Sequence, residues 1–312
     1  MSAFILRRLW QMIPTMLGVV LLVFFLFNFV GGDPAYLLAG KISNKEQIEN
    51  IRTQLGINQP YYIQLWIFIK QILTGDFGVS WATNEPVSHI IATRIGPSLT
   101  VLVPILIIET IVAVLIALAV AYVRGSLTDR AIMVVCTMAM SVSLLVYIIV
   151  GQYVLAYKFS WFPVQGWGDS FAENLFKYSA LPILLGVAVG LAPNTRLYRT
   201  FILDEINQDY VRTARAKGLS EHKVMLKHVL RNALIPIITN LMIYLPSLLI
   251  GHFLIERFFS IPGIGREVIL AVERSDFPVI KAITVYVAAA TMISNLLADL
   301  LYKAVDPRVK LK

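Results

Sequence analysis

Six stretches of this chain, about residues 9–30, 98–123, 132–156, 180–198, 233–256 and 282–303, are long and apolar enough to cross a lipid bilayer. Roughly 20 residues rising about 1.5 Å each cover the roughly 30 Å of hydrocarbon, so each stretch reads as a transmembrane helix. The composition agrees. Hydrophobic residues make up 57% and charged residues only 15%, whereas soluble domains carry about 25% charged residues. The expectation is an all-α integral membrane protein of six spans. Arg7 and Arg8 precede the first run as they would in a signal peptide. Its apolar part is too long for one and no small-residue cleavage site follows, so it reads as a retained span. The fourth run, interrupted by Pro182, Pro193 and Asn194, has the least certain end.

Orientation follows from charge. If both termini lie in the cytoplasm, that face holds 16 Lys and Arg against six acidic residues, while the opposite face balances 11 of each. The positive-inside rule therefore predicts six spans with both ends cytoplasmic. Topology accounts for the net charge of +8, and the case for a nucleic-acid partner loses its main support. Cys136, the single cysteine, lies in an apolar run, which excludes a disulfide framework and a cysteine-based metal site.

The longest segment between spans, residues 31–97, carries helix signals of its own. Ser43 and Glu46 form a capping box, and Gly56 closes that helix. Pro60 starts a second helix that Gly75 stops, and its Tyr61, Tyr62, Trp66 and Phe68 suit a membrane–water boundary. This extracytoplasmic segment either lies along the outer surface or packs on the bundle.

Residues 209–236, DYVRTARAKGLSEHKVMLKHVLRNALIP, place eight Lys, Arg or His on the cytoplasmic side. Gly218 suits the end of one short helix, and Ser220 followed by Glu221 suits the start of the next. On that second helix Lys223, Lys227 and Arg231 repeat along one stripe, while Val224, Leu226, Val229 and Leu230 need cover. Two readings stay open: a helix lying on anionic headgroups, and a docking surface for a cytoplasmic protein.

Against the EAA loop of bacterial ABC importer permeases this segment matches at Ala214, Gly218 and Leu230 only. YVRTARAKGL followed by HVLRNALIP more closely resembles the variant in the dipeptide, oligopeptide and nickel permease family. FILRR at the start, GDPA (32–35), QLGINQP (54–60), GDFGVS (75–80), PV (86–87), FSIPGIGR (259–266), DFPV (276–279) and VDPRVK (305–310) extend the resemblance along the whole chain. They look like the first, B-type permease subunit of that family. The resemblance implies a type I importer permease fold in the bacterial cytoplasmic (inner) membrane. Its partners would be a homologous second permease, two cytoplasmic ATPases and an extracytoplasmic solute-binding protein. It also implies that a coupling loop, about 199–232, meets the ATPases through Arg212, Thr213, Ala214, Arg215, Lys217, Gly218, Leu219 and His222. Small Ala214 and Gly218 would admit the partner's groove closely, and Arg212, Arg215 and Lys217 would pair with its acidic rim.

No phosphate-binding Gly-rich loop is present, so ATP and its magnesium are expected on the partner chains, with no cofactor on this one. Motifs of intramembrane hydrolysis are absent, and the histidines at 89, 222, 228 and 252 are dispersed. No catalytic or metal-binding residue is therefore assigned. Glu109 and Asp299 lie within spans, where charge marks either a pathway or an interhelical pairing. Lys303, one turn after Asp299, is a local partner for it, and Glu109 has none. Peptide is the substrate expected from the family's commonest use, with nickel chelates, glutathione and opines as alternatives. A proton-coupled secondary transporter remains a rival, weakened by the docking loop and by the lack of a second half.

Overall fold

The computed structural model describes residues 2–30, 34–39, 44–54 and 56–305. Ser43, and the basic residues after Val305 that entered the charge count, lie outside them. In chain order the helices are α1 (Ser2–Phe25), α2 (Pro34–Ala39), α3 (Lys45–Gln54), α4 (Tyr61–Thr74), α5 (Val87–Tyr122), α6 (Leu127–Met140), α7 (Leu144–Gly151) and α8 (Phe171–Glu173). They continue with α9 (Ala180–Ile206), α10 (Asp209–Ala216), α11 (Glu221–Lys223), α12 (Arg231–Ile250), α13 (Phe253–Phe258), α14 (Ile264–Glu273) and α15 (Phe277–Val305). Short π-helical turns extend α1 to Val30, α7 to Lys158 and α8 to Tyr178, and join α11 to α12. Among the described residues there is no strand, only an isolated bridge between Val79 and Pro86.

Five helices are long and apolar enough to cross a membrane, and the third expected span differs from the rest. It is not one rod: α6 and its continuation from Leu144 meet at 90°. Ser141 turns its hydroxyl back to the Thr137 carbonyl at 3.0 Å, and Ser143 caps α7. Two serines thus end and restart the helix inside a run whose average hydropathy hides the bend. The expected fifth span also overruns a break. Gly251, at φ 82°, turns the chain after Ile250, so residues 253–258 form a separate short helix.

The bundle centres on α5 and α9. Gly186 and Gly190 stand one turn apart on α9. A Cβ on Gly186 would come within 2.5 Å of Ile105 on α5, and one on Gly190 would collide with the Glu109 carboxylate. Small residues at i and i+4 let the two backbones approach closely, as membrane helix pairs require. α4 packs Phe68 on Val20, Val23 and Val285 and leaves Tyr61, Tyr62 and Trp66 exposed. The helix of the 31–97 segment is therefore docked on the bundle by one face and open on the other. Gly75 ends α4 in the left-handed conformation at φ 68°. Asn44 precedes α3 and its backbone N–H donates to Gln47 at 3.2 Å, while the expected capping box rests on Ser43, outside the described residues.

Candidate functional site

α10 and the helix that begins at Glu221 form an elbow at one end of the bundle. Its inner face is set by α10, where Val211 and Ala214 are buried with Tyr198, Ile202 and Ile206 of α9, Ala117 and Ala121 of α5, and Val224, Met225 and Val229 of the following helix. Ala214 thus packs inward rather than offering close approach to a partner. Leu226 is the exception on the second helix, at 43% exposed.

The bend is made by Gly218. Its N–H donates to the Arg215 carbonyl at 2.9 Å, its φ is +77°, and a Cβ there would meet nothing within 4 Å. The left-handed position after a helix end favours glycine. Empty space around it makes the corner accessible. Ser220 precedes α11 but its hydroxyl makes no cap bond. Closure comes from Arg215, which binds both oxygens of Glu221 at 3.0 and 2.6 Å across the turn. Arg215, expected to pair with a partner's acidic rim, is thus engaged with Glu221 within the elbow. Tyr210 donates to the Glu205 carboxylate, and burial together with that carboxylate pushes its phenol up to about 12. It stays a neutral donor and ties α10 to the end of α9.

Arg212, Thr213, Lys217, Leu219 and His222 remain on the outer face with Gly218, all exposed. Arg212 makes a loose 3.5 Å pair with Asp209 on a face open to water. Arg212 and Lys217 supply charge, and Leu219 and Leu226 supply an apolar element beside it. From α11 the helix runs on to Ile250 with Pro236 and Pro246 inside it, so the elbow is the free end of a span.

The intramembrane acids resolve into pairs. Glu109 accepts a hydrogen bond from the Asn194 amide and is 8% exposed, sealed by Gly190. Asp299 pairs with Arg8 of α1 at 2.7 Å. The partner is a residue from the other end of the chain, and the side chain of Lys303, the local partner that sequence proximity suggested, lies outside the described residues.

Three further polar clasps escaped the sequence reading. Glu256, 1% exposed, accepts from the Ser98 hydroxyl at 2.8 Å and from the His252 and Arg266 backbone N–H groups at 3.0 Å each. A Cβ on Gly251 or Gly263 would collide with its carboxylate, and one on Gly265 with the His252–Phe253 backbone beside it. Asp276 accepts from Ser80 and from the backbone of Trp81 and Ala82. Asp129 pairs with Arg199 at 2.7 Å and joins α6 to α9. DFPV holds Asp276, GDFGVS holds its partner Ser80, and Glu256 stands just before FSIPGIGR, so an acid beside a Gly-rich turn was the available signal for two of the three, while no motif marked Asp129.

The sequence profile of the binding-protein-dependent transport system inner membrane component matches residues 111–311, and its N-terminal membrane companion matches residues 1–103. The chain belongs to this family. Similar proteins include the glutathione transport system permease proteins of Salmonella typhi, Shigella boydii serotype 4 and Escherichia coli (strain K12). Each is 35% identical over 312 residues, covering all of both chains. The protein is thus a permease subunit of an ATP-binding-cassette importer of the bacterial inner membrane. A permease of this kind works with ATPases and with a binding protein. The resemblance read from the motifs is confirmed, and the secondary-transporter rival falls.

Proposed function

We propose that this permease forms half of a translocation path for peptide-class substrates and receives the ATPase stroke on the Gly218 elbow. The observation that carries the reading is the exposed, left-handed corner on a helix that continues unbroken from 221 to 250. Val224, Met225 and Val229 root the corner against α5 and α9, so force applied there reaches the bundle directly. Arg212, Thr213, Lys217, Gly218, Leu219 and His222 form the contact face, while Ala214 and Arg215 hold its shape.

The elbow faces the cytoplasm with both termini, in agreement with the basic excess on that side. The second permease is a homologue, the ATPases are two, and ATP with its magnesium stays on them. The chain itself performs no catalysis. Glutathione, for which the similar permeases are named, is a short peptide, and it falls within the proposed class. Glu109 and Asp299 act as interhelical pairs that fix α5 on α9 and α1 on α15.

The test is reconstitution with the ATPases and the binding protein in proteoliposomes. Gly218→Val is expected to leave assembly and basal ATP hydrolysis in place and to cut uptake by about tenfold. Normal uptake in a fully assembled Gly218→Val complex would overturn the coupling role. Uptake of a labelled dipeptide and of labelled glutathione, compared with a nickel chelate, tests the substrate class. Transport of the chelate alone would refute it.

A further inference from the structure

At the end of the bundle away from the elbow, α1, α4, the 77–81 loop and the start of α15 enclose a cavity of about 440 Å³. That volume is in the range of small-ligand sites. Its walls are aromatic, with Phe24, Phe27, Phe68, Phe77, Trp81 and Phe277 all lining it. The only charged side chain among the described lining residues is Lys281. Its ammonium stands 5.4 Å from the centre of the Phe27 ring and 5.9 Å from that of Phe68. No described carboxylate lines the cavity or pairs with this lysine. Asn28, also in the wall, keeps a buried amide nitrogen without a hydrogen-bond partner.

A cation withdrawn from water normally has a counter-charge. Attraction to ring faces offsets only part of that cost. Glu109, Asp129, Glu256 and Asp276, the buried acids described above, each have a hydrogen-bond or ionic partner from another element. Lys281 and Asn28 instead present two donors to one aromatic chamber and leave the acceptor to be supplied from outside. On the neighbouring stretches of α4 and of the turn that extends α1, Phe29, Tyr61, Tyr62 and Trp66 are exposed. Amphipathic rings of this kind sit at the headgroup level of a bilayer. An acceptor arriving there comes with an apolar body attached.

We propose that this chamber is a binding site for one anionic phospholipid, its phosphate on Lys281 and Asn28 and the top of an acyl chain against the Phe27 and Phe68 rings. The lipid would fill the junction of α1, α4 and α15, where the two helices of the bundle meet the docked surface helix. It would fix α4 on the bundle by completing a wall that the protein leaves open.

The test uses the permease purified in mild detergent with whatever subunits accompany it. The preparation is placed in nanodiscs of equal phosphatidylglycerol and phosphatidylcholine, re-extracted, and weighed by native mass spectrometry. The wild type is expected to retain phosphatidylglycerol in excess over phosphatidylcholine. Lys281→Gln is expected to lose one retained phosphatidylglycerol per permease, and Lys281→Arg to keep it. Retention in proportion to the nanodisc composition, or equal retention by Lys281→Gln, would overturn the proposal. Should the glutamine variant fail to assemble, Asn28→Leu is read in its place and is expected to lose the same phosphatidylglycerol, and unchanged retention there would overturn the proposal. Displacement of the lipid by millimolar glycerol phosphate would show a soluble-anion site and refute the lipid assignment.

Discussion

Gly218 is the residue whose chemistry and position can be separated. Holding an ordinary side chain at a left-handed φ costs about 1–2 kcal/mol, but asparagine tolerates that region. With nothing within 4 Å of the site, Gly218→Asn should keep uptake within about twofold, whereas Gly218→Val should not. Equal loss in both, measured in proteoliposomes, would mean that the partner reads the missing side chain and not the bend. Arg199 offers a contrast with Arg212. Removing Arg199 leaves Asp129, whose side chain is 7% exposed, without its cation, at a cost of about 3 kcal/mol. Arg212, 72% exposed in its pair, contributes within about 1 kcal/mol. Thermal unfolding in detergent should lower the midpoint for Arg199→Ala and scarcely move it for Arg212→Ala. At this scale the sequence disclosed the identity of the corner but not the inward direction of Ala214 or the commitment of Arg215 to Glu221. Those depend on how α10 rolls against α9, which no local pattern specifies. The Arg8–Asp299 pair was equally hidden, because its members stand at opposite ends of the chain.

Among elements, the α5–α9 pair is the one that tolerates least. Gly190→Ala would press a methyl group into the Glu109 carboxylate, and overpacking of this kind costs about 1–3 kcal/mol. A lowered unfolding midpoint, with Gly18→Ala as the unaffected control because nothing lies within 4 Å of that site, would confirm the contact. The Glu256 clasp makes a sharper prediction. Glu256→Gln keeps the volume but points an amide at the three donors now bound to the carboxylate. Ser98→Ala removes only one of those donors. Unfolding in detergent should therefore show the glutamine variant the weaker of the two. The reverse order would mean that the Ser98 bond, not the carboxylate, holds the turn. The long helices were legible because length and hydropathy suffice for them. The 90° bend between α6 and α7 was not, since Ser141 and Ser143 barely alter the mean hydropathy of their window. The break at Gly251 was missed for a similar reason: a single glycine inside an apolar run is ordinary in a membrane helix, and only its packing against Glu256 and the Gly265 backbone shows its purpose.

For the whole molecule, six apolar runs and a charge bias were enough to expect a six-span membrane protein, and the resemblance of its motifs carried the permease family, while the relation between its two ends stayed hidden. The elbow core and the Glu256 clasp occupy opposite ends of one helix, which leaves the α10 corner at Glu221 and stops at Ile250. Replacing Leu234 and Ile235 together by glycine weakens that helix by about 2 kcal/mol while leaving both ends intact. ATP hydrolysis in the assembled complex should persist and uptake should fall, whereas unchanged uptake would place the transmission elsewhere. The same continuity has a kinetic corollary. A helix of 30 residues, about 45 Å long, relays a displacement far faster than any nucleotide cycle turns over. Under the proposed coupling, the stroke of the motor and the movement of the bundle therefore fall within the same cycle, with no lag between them.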